Sequence, residues 1–222
     1  MVMFCWLHWA ELTPTERVTL DPASIWQLTA EHLQLTVYAG LLVLLTALPL
    51  GVLLTRGPLR FLTAPVMALA NLGQAAPLVG LIVLAAFWLG FGAQAALVTL
   101  VVYAFLPVLK NTMVGLDAVD SKIIEAARGM GMSSWSVLWK VEIPIASPVI
   151  LAGIRTALVL LVGSATLATF IDGGGLGLLI TTGVNLALGR VLVFGSVLVA
   201  VLALLVDWLA QLAEFWIRPR GL

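Results

Sequence analysis

The sequence predicts an all-α, polytopic membrane protein, and three observations carry that expectation. Hydrophobic residues make up 62% of the 222 and charged residues only 10%, against about 25% charged in a soluble domain. A chain so poor in charge cannot cover a water-facing surface and needs lipid as solvent over most of its area. Its apolar residues are gathered into long stretches bounded by charge, and about 20 apolar residues cross the hydrocarbon core as a helix. Lys and Arg cluster between those stretches rather than evenly along the chain. Helices are the form the spans must take, because an isolated strand would leave its backbone groups unpaired in lipid.

Residues 1–30 come first and read as an external N-terminal segment. They show no cleavable signal peptide: a basic region is missing, and Trp6, His8, Trp9 and Glu11 interrupt any apolar core. Five transmembrane helices follow within residues 31–217, at about 33–54, 62–89, 95–116, 148–171 and 191–217. Residues 218–222 form a short tail. The single cysteine, Cys5, excludes an internal disulfide and a cysteine-based metal cluster, and His8 and His32 are too few for a histidine metal site.

The basic residues orient the chain. Arg56 and Arg60 lie between spans one and two. Lys110, Lys122, Arg128, Lys140 and Arg155 cluster around the connection between spans three and four, and Arg218 and Arg220 follow span five. With five spans, these nine of the eleven basic residues share one face, leaving Arg17 and Arg190 on the other. That asymmetry places the N-terminus outside and the C-terminus in the cytoplasm. Pro49, Pro65, Pro77 and Pro107 are expected to interrupt the helices, and Asn71, Gly73 and Gln74 add polarity and a weak point to span two. Gly153, Ala157, Ser164 and Ala168, at four- and seven-residue spacing, suit close helix approach in span four.

The longest cytoplasmic connection, residues 117–147, is the most informative segment. Ser121 can cap a short helix through Ala127, and Gly129 and Gly131 break it. Ser133 or Ser134 can start a second, with Trp135, Leu138 and Trp139 on one face. Pro144 is expected to stop that helix and Pro148 to open span four. The result is a compact helix-turn-helix that exposes a carboxylate and small residues at the membrane face.

Glu125-Ala126-Ala127, then Gly131, then Ile143-Pro144, resembles the EAA loop of type I ABC importer permeases. Leu106-Pro107-Val108-Leu109-Lys110-Asn111-Thr112, Ala152-Gly153-Ile154-Arg155-Thr156-Ala157 and Gly174-Gly175-Leu176-Gly177 are similar to the osmoprotectant branch, which imports glycine betaine, choline, carnitine or related solutes. Asp172 stands where that branch usually carries a small residue. The resemblance covers residues 30 to 217 and implies a permease domain over residues 31–217, with a coupling loop at 117–147. It further implies that this loop docks into a cytoplasmic ATPase: Glu125 as charge-assisted contact, Ala126 and Ala127 as low surface, Gly131 as the turn. Two ATPase subunits, a second permease chain, identical or homologous, and an external solute-binding protein are the implied partners, in a bacterial inner membrane. The chain lacks a Gly-x-x-x-x-Gly-Lys-Ser/Thr phosphate loop. It is therefore expected to be no enzyme and to hold no cofactor, with ATP and Mg bound by the partner ATPase.

Two further groups of residues stand out. Arg155 and Asp207 each lie within a span and are expected to pair facing the bundle interior, with Lys110 a competing partner for Asp207. Asn71, Gln74, Tyr103, Asn111, Ser164 and Thr166 are polar enough to line a substrate path. Tyr103 and Trp88 offer aromatic faces to a quaternary ammonium, although Trp88, like Trp135 and Trp139, fits an interface belt better. Residues 172–177 read as a mobile glycine-rich turn on the external side, open to contact by the binding protein. A type I permease for another solute, such as an amino acid, shares these features. A secondary transporter has no use for the 117–147 loop, and an intramembrane enzyme lacks a catalytic constellation.

Overall fold

The structure, a computed structural model, describes residues 12–217; Cys5, Trp6, His8, Trp9, Arg218 and Arg220 lie outside them. Among the described residues every regular element is helical. In chain order they are α1 (Pro14–Thr19), α2 (Pro22–Leu54), a 3-10 segment (Gly57–Leu62), α3 (Thr63–Ala75), α4 (Leu78–Leu89) and α5 (Ala93–Asp117). Then come α6 (Ser121–Gly129), α7 (Ser134–Val137), a π turn (Leu138–Glu142), α8 (Ile143–Ser164) and a second 3-10 segment (Ala165–Ile171). Finally α9 (Gly177–Asn185) and α10 (Gly189–Ile217) close the chain. Four stretches are long and apolar enough to cross a membrane: Pro22–Leu54, Ala93–Asp117, Ser134–Ile171 and Gly189–Trp216. A fifth arises when the bent pair Gly57–Ala75 and Leu78–Leu89 is taken as one broken span.

Three expectations are corrected. The helix of the first span begins at Pro22, eleven residues before the apolar run. Asp21 starts it, its carboxylate accepting from the N–H groups of Ala23 and Ser24 at 3.1 and 3.2 Å, with Pro22 at the first helical position, where no donor is needed. The 33-residue helix is about 50 Å long, well beyond a hydrocarbon core of about 30 Å. Second, most prolines do not interrupt. Pro49, Pro107 and Pro148 lie inside α2, α5 and α8, and Pro65 sits in the first turn of α3. Only Pro77 marks a break, between α3 and α4. Third, Pro144 stops nothing. The second short helix of the loop runs through the π turn into α8, a single helical stretch from Ser134 to Ile171. A π turn is wider than an α turn, so a proline just after it escapes the clash with the carbonyl four residues back that ends a regular helix.

The described residues pack as two compact units. The first takes residues up to 39, 78–100 and 161–205. Its core holds Ala39, Ile82, Ala86, Ala96, Leu100, Leu161, Ile171, Leu176, Leu179 and Phe194, all nearly inaccessible. α1 is held by a capping box: Thr13 N–H donates to Glu16 at 2.9 Å and Glu16 N–H to the Thr13 hydroxyl at 3.3 Å. Arg190 lies 3.5 Å from the same Glu16 carboxylate. The Thr13 backbone bond above all, then its hydroxyl and Arg190, hold this carboxyl below the usual carboxylate range against the opposing effect of burial.

The second unit takes residues 40–77, 101–160 and those after 205. α2, α5 and α8 approach closely there through small residues. A Cβ on Gly51 would meet Thr112 at 2.8 Å, one on Gly115 the Ala146 carbonyl at 3.1 Å, and one on Gly153 the Asn111 Cβ at 2.5 Å. Lipid supplies no hydrophobic drive between helices, so such close van der Waals packing is what holds them.

Candidate functional site

The 117–147 loop lies wholly in the second unit. Asp120, not Ser121, caps α6, its carboxylate accepting from Lys122 N–H at 2.9 Å. Aspartate competes well at this position because its oxygens are charged acceptors for orphan N–H groups. α6 ends as Gly131 N–H bonds the Arg128 carbonyl at 2.9 Å and Met132 N–H the Ala127 carbonyl at 3.2 Å. Gly131 takes φ +86°, a left-handed conformation that favours glycine. Ser133 then caps α7 through Ser136 N–H at 3.3 Å.

This geometry sorts the Glu-Ala-Ala string by face. Glu125 and Ala126 are exposed, whereas Ala127 is buried. Ile124 packs inward against a cluster of Leu116, Val119, Leu138, Ala146 and Ile150. The surface offered outward is therefore Glu125 and Ala126, while Ala127 seats the helix on the protein's own core.

Sequence reasoning missed what anchors the far end of this loop. Glu142, in the π turn, is 5% exposed at its side chain and receives both arms of Arg56, at 3.2 and 2.8 Å. The two residues are 86 apart in sequence, and only the shortage of charge in such a chain hinted that each charge has a partner. Trp135 and Trp139 meet edge to face at 5.6 Å. With Leu138 they line an apolar groove of about 560 Å³ against Leu44, Leu48, Pro49 and Val52 of α2.

Arg155 of α8 and Asp207 of α10 are brought together in two bonds: Nε to Oδ1, and Nη2 to Oδ2 at 2.9 Å. Gln211, one turn on, donates to Oδ2 at 2.7 Å. Lys110 is exposed. The two side chains stay 37% and 24% exposed in this chain. None of the six residues expected on a substrate path lines that apolar groove. Asn71 and Asn111 turn back onto the carbonyls of Met67 and Pro107, and Thr166 onto that of Gly163. Gln74 and Tyr103 belong to the second unit, Ser164 and Thr166 to the first. Trp88 is 87% exposed, as a belt residue is.

Residues 172–177, in the first unit, are more fixed than a free turn. Glu31 accepts from Gly175 N–H at 3.1 Å, and a Cβ on Gly175 would come 3.1 Å from His32 Nδ1. His32 is buried and bonds the Val162 carbonyl at 2.9 Å through Nε2. A Cβ on Gly177 would fall 1.9 Å from the Thr166 carbonyl. Asp172 takes the left-handed conformation at φ 59°, which short polar side chains tolerate better than most.

Known proteins resemble this chain in sequence and in fold. Residues 47–219 match the family described as the binding-protein-dependent transport system inner membrane component. The glycine betaine/carnitine/choline transport system permease protein OpuCB of Bacillus subtilis (strain 168) is 39% identical over 194 residues, 87% of this chain and 88% of its own. The osmoprotectant import permease protein OsmW of Salmonella typhimurium (strain LT2) is 37% identical over 200 residues, 88% and 92% of the two chains. Among solved structures, a chain of the MetNI methionine ABC transporter superposes with a TM-score of 0.76 at 25% identity, covering 88% of this chain and 96% of that one. Such a family implies an ATPase and a solute-binding protein as partners, and its members are transport permeases rather than enzymes. A match over most of the chain, relatives aligned almost end to end and a shared all-helical membrane fold lead to one conclusion: the chain belongs to the family of binding-protein-dependent transport system inner membrane components.

Proposed function

We propose that the chain is the permease subunit of an importer for a small osmoprotectant such as glycine betaine, choline or carnitine. The observation that carries this reading is mechanical. An exposed Glu125–Ala126 surface sits on a helical hairpin whose second helix continues without interruption into a membrane-spanning stretch, Ser134–Ile171. A push on that surface is delivered to the span with no flexible joint after Ser134. Relatives whose names specify glycine betaine, carnitine and choline support the solute class, and their higher identity favours it over an amino acid.

In this reading the chain sits in the bacterial inner membrane, N-terminus outside and C-terminus cytoplasmic, with the α6–α7 hairpin facing the ATPase. Two ATPases hold the ATP and Mg, a second permease chain completes the pathway, and an external binding protein delivers the solute. Glu125 contacts a basic group of the ATPase, Ala126 keeps the contact surface low, Gly131 sets the turn, and Ala127 fixes the helix from below. The test is co-purification from the native membrane, wild type beside Glu125→Lys, with mass spectrometry and uptake of labelled glycine betaine and choline. The expected result is loss of the ATPase and of uptake in the variant, with the permease still folded. A chain that purifies alone and moves solute without ATP overturns the reading in favour of a secondary transporter.

A further inference from the structure

We propose that Arg155 and Asp207 form a solute-contacting site on the translocation path, matched to a small zwitterion. The guanidinium receives the solute's carboxylate and the Asp207 carboxylate faces its cationic nitrogen. This deepens the transport reading above and rests on it.

Both residues lie on membrane-spanning stretches, where an ionised side chain costs about 2.5–3.5 kcal/mol and is found against protein or a water-filled cavity rather than lipid. In the Arg56–Glu142 pair the carboxylate is enclosed, at 5% exposure, beside a guanidinium that is 33% exposed. Asp207 differs from Glu142 in staying 24% exposed, beside an Arg155 that is 37% exposed. They open onto a recess of about 410 Å³ whose other walls are Ala152, Thr156, Val159 and Leu160, a volume within the usual range for small-molecule sites. On α10 the polar character continues at helical spacing through Asp207, Gln211 and Glu214, while Leu205, Trp208 and Leu209 are exposed apolar residues. One stripe of the helix is thus made for water and the remainder for lipid.

The chemistry selects the ligand. A solute carrying one carboxylate and one cationic nitrogen can replace each member of the pair as the other's partner, so no charge is left unpaired during the exchange. Arg155 presents a planar fork suited to a carboxylate. A quaternary nitrogen has no hydrogen to donate, so Asp207 holds it by charge alone, and its bond from Gln211 at 2.7 Å is free to persist. A cation without a carboxylate satisfies Asp207 and leaves Arg155 without a partner.

Two measurements on the complete transporter test this. The first compares uptake of labelled glycine betaine and choline by wild type, Arg155→Gln and the exchanged pair R155D/D207R, each normalised to assembled complex. Arg155→Gln is expected to lower glycine betaine uptake by about tenfold or more, the equivalent of one charge-assisted bond, and choline uptake far less. The exchanged pair, which keeps both charges in the recess, serves as the control for assembly. An equal fall for both solutes in Arg155→Gln makes the pair a helix fastener and overturns the proposal. The second places Thr156→Cys in a Cys5→Ser background and probes it with a hydrophilic maleimide, with Thr15→Cys as an exposed control. Labelling of Thr156→Cys that glycine betaine slows is expected; an unlabelled Thr156→Cys beside a labelled control shows a dry recess and overturns the proposal. Should wild type move neither solute, the transport reading fails, while the labelling still decides whether the recess is wet.

Discussion

Removing Arg56 should destabilise the protein more than neutralising Glu142, although the two residues share one ion pair. The reason lies in which partner is left behind. Glu142 is 5% exposed at its side chain and takes bonds of 3.2 and 2.8 Å from the guanidinium, which is itself 33% exposed. In Arg56→Ala a buried carboxylate loses its only described counter-charge, a change that costs about 3–5 kcal/mol. In Glu142→Gln the stranded group is a guanidinium that already reaches the surface, so the loss is nearer the worth of a charge-assisted bond, about 1.5–3 kcal/mol. At roughly 2–4 °C per kcal/mol for a chain this size, the first variant should melt on the order of 10 °C lower and the second a few degrees. Thermal unfolding in detergent, followed by helical circular dichroism, gives the ranking. Tryptophan emission gives the locale, because Trp135 and Trp139 lie seven and three residues before Glu142. Equal losses, or a larger loss in Glu142→Gln, refute the argument from burial.

Two other outcomes follow from packing and from charge. Gly153→Ala drives a methyl to 2.5 Å from the Asn111 Cβ and 2.7 Å from the Pro107 carbonyl, while nothing lies within 4 Å of a methyl at Gly163. Melts run side by side should show a loss of about 1–3 kcal/mol for Gly153→Ala and neutrality or a small gain for Gly163→Ala, as helix propensity alone predicts. For Glu16, whose pKa is lowered chiefly by the Thr13 backbone bond from an ordinary value of 4.5, the sign is that of a depressed carboxylate. Its stabilisation is complete above that ordinary value and disappears as pH falls through the lower folded one. Stability measured from pH 7 to pH 3 should therefore separate wild type from Glu16→Gln at the top of the range and bring them together at the bottom.

Apolar length and charge made the spans legible, because lipid demands long apolar helices and punishes scattered charge. Helix ends were less legible, because a helix can outlast its apolar run. Gln27, Glu31 and His32 continue α2 as regular helix, and a hydropathy profile cannot tell a polar helix from a loop. The prolines misled for a related reason: Pro49, Pro107 and Pro148 are carried inside helices, where neighbouring helices brace the backbone that a lone helix would lose. At the site, the hairpin could be placed from Ser133, Gly129 and Gly131, since caps and left-handed turns are written in single residues. Which alanine faces inward could not, because that depends on Leu138 and Ile150 arriving from further along the chain. The Arg56–Glu142 pair was hidden in the same way, and so was the grip of Glu31 and His32 on the glycine-rich segment.

The π turn at Leu138–Glu142 has a bearing on how such a chain tolerates change in length. A π turn holds one residue more than the α-helical path it replaces, and each residue of an α-helix accounts for about 100° of rotation. Deleting one residue there is absorbed in one of two ways. If the strand of helix below straightens into regular α form, Glu142 keeps its place and the upstream hairpin keeps its azimuth, but the Pro144 ring loses its clearance. If the π turn is retained, everything upstream, Glu125 included, swings by about a third of a turn around the axis of α8. A single codon in this stretch therefore sets the compass bearing of the exposed carboxylate relative to the membrane-spanning helix, independently of any side chain at the surface it serves.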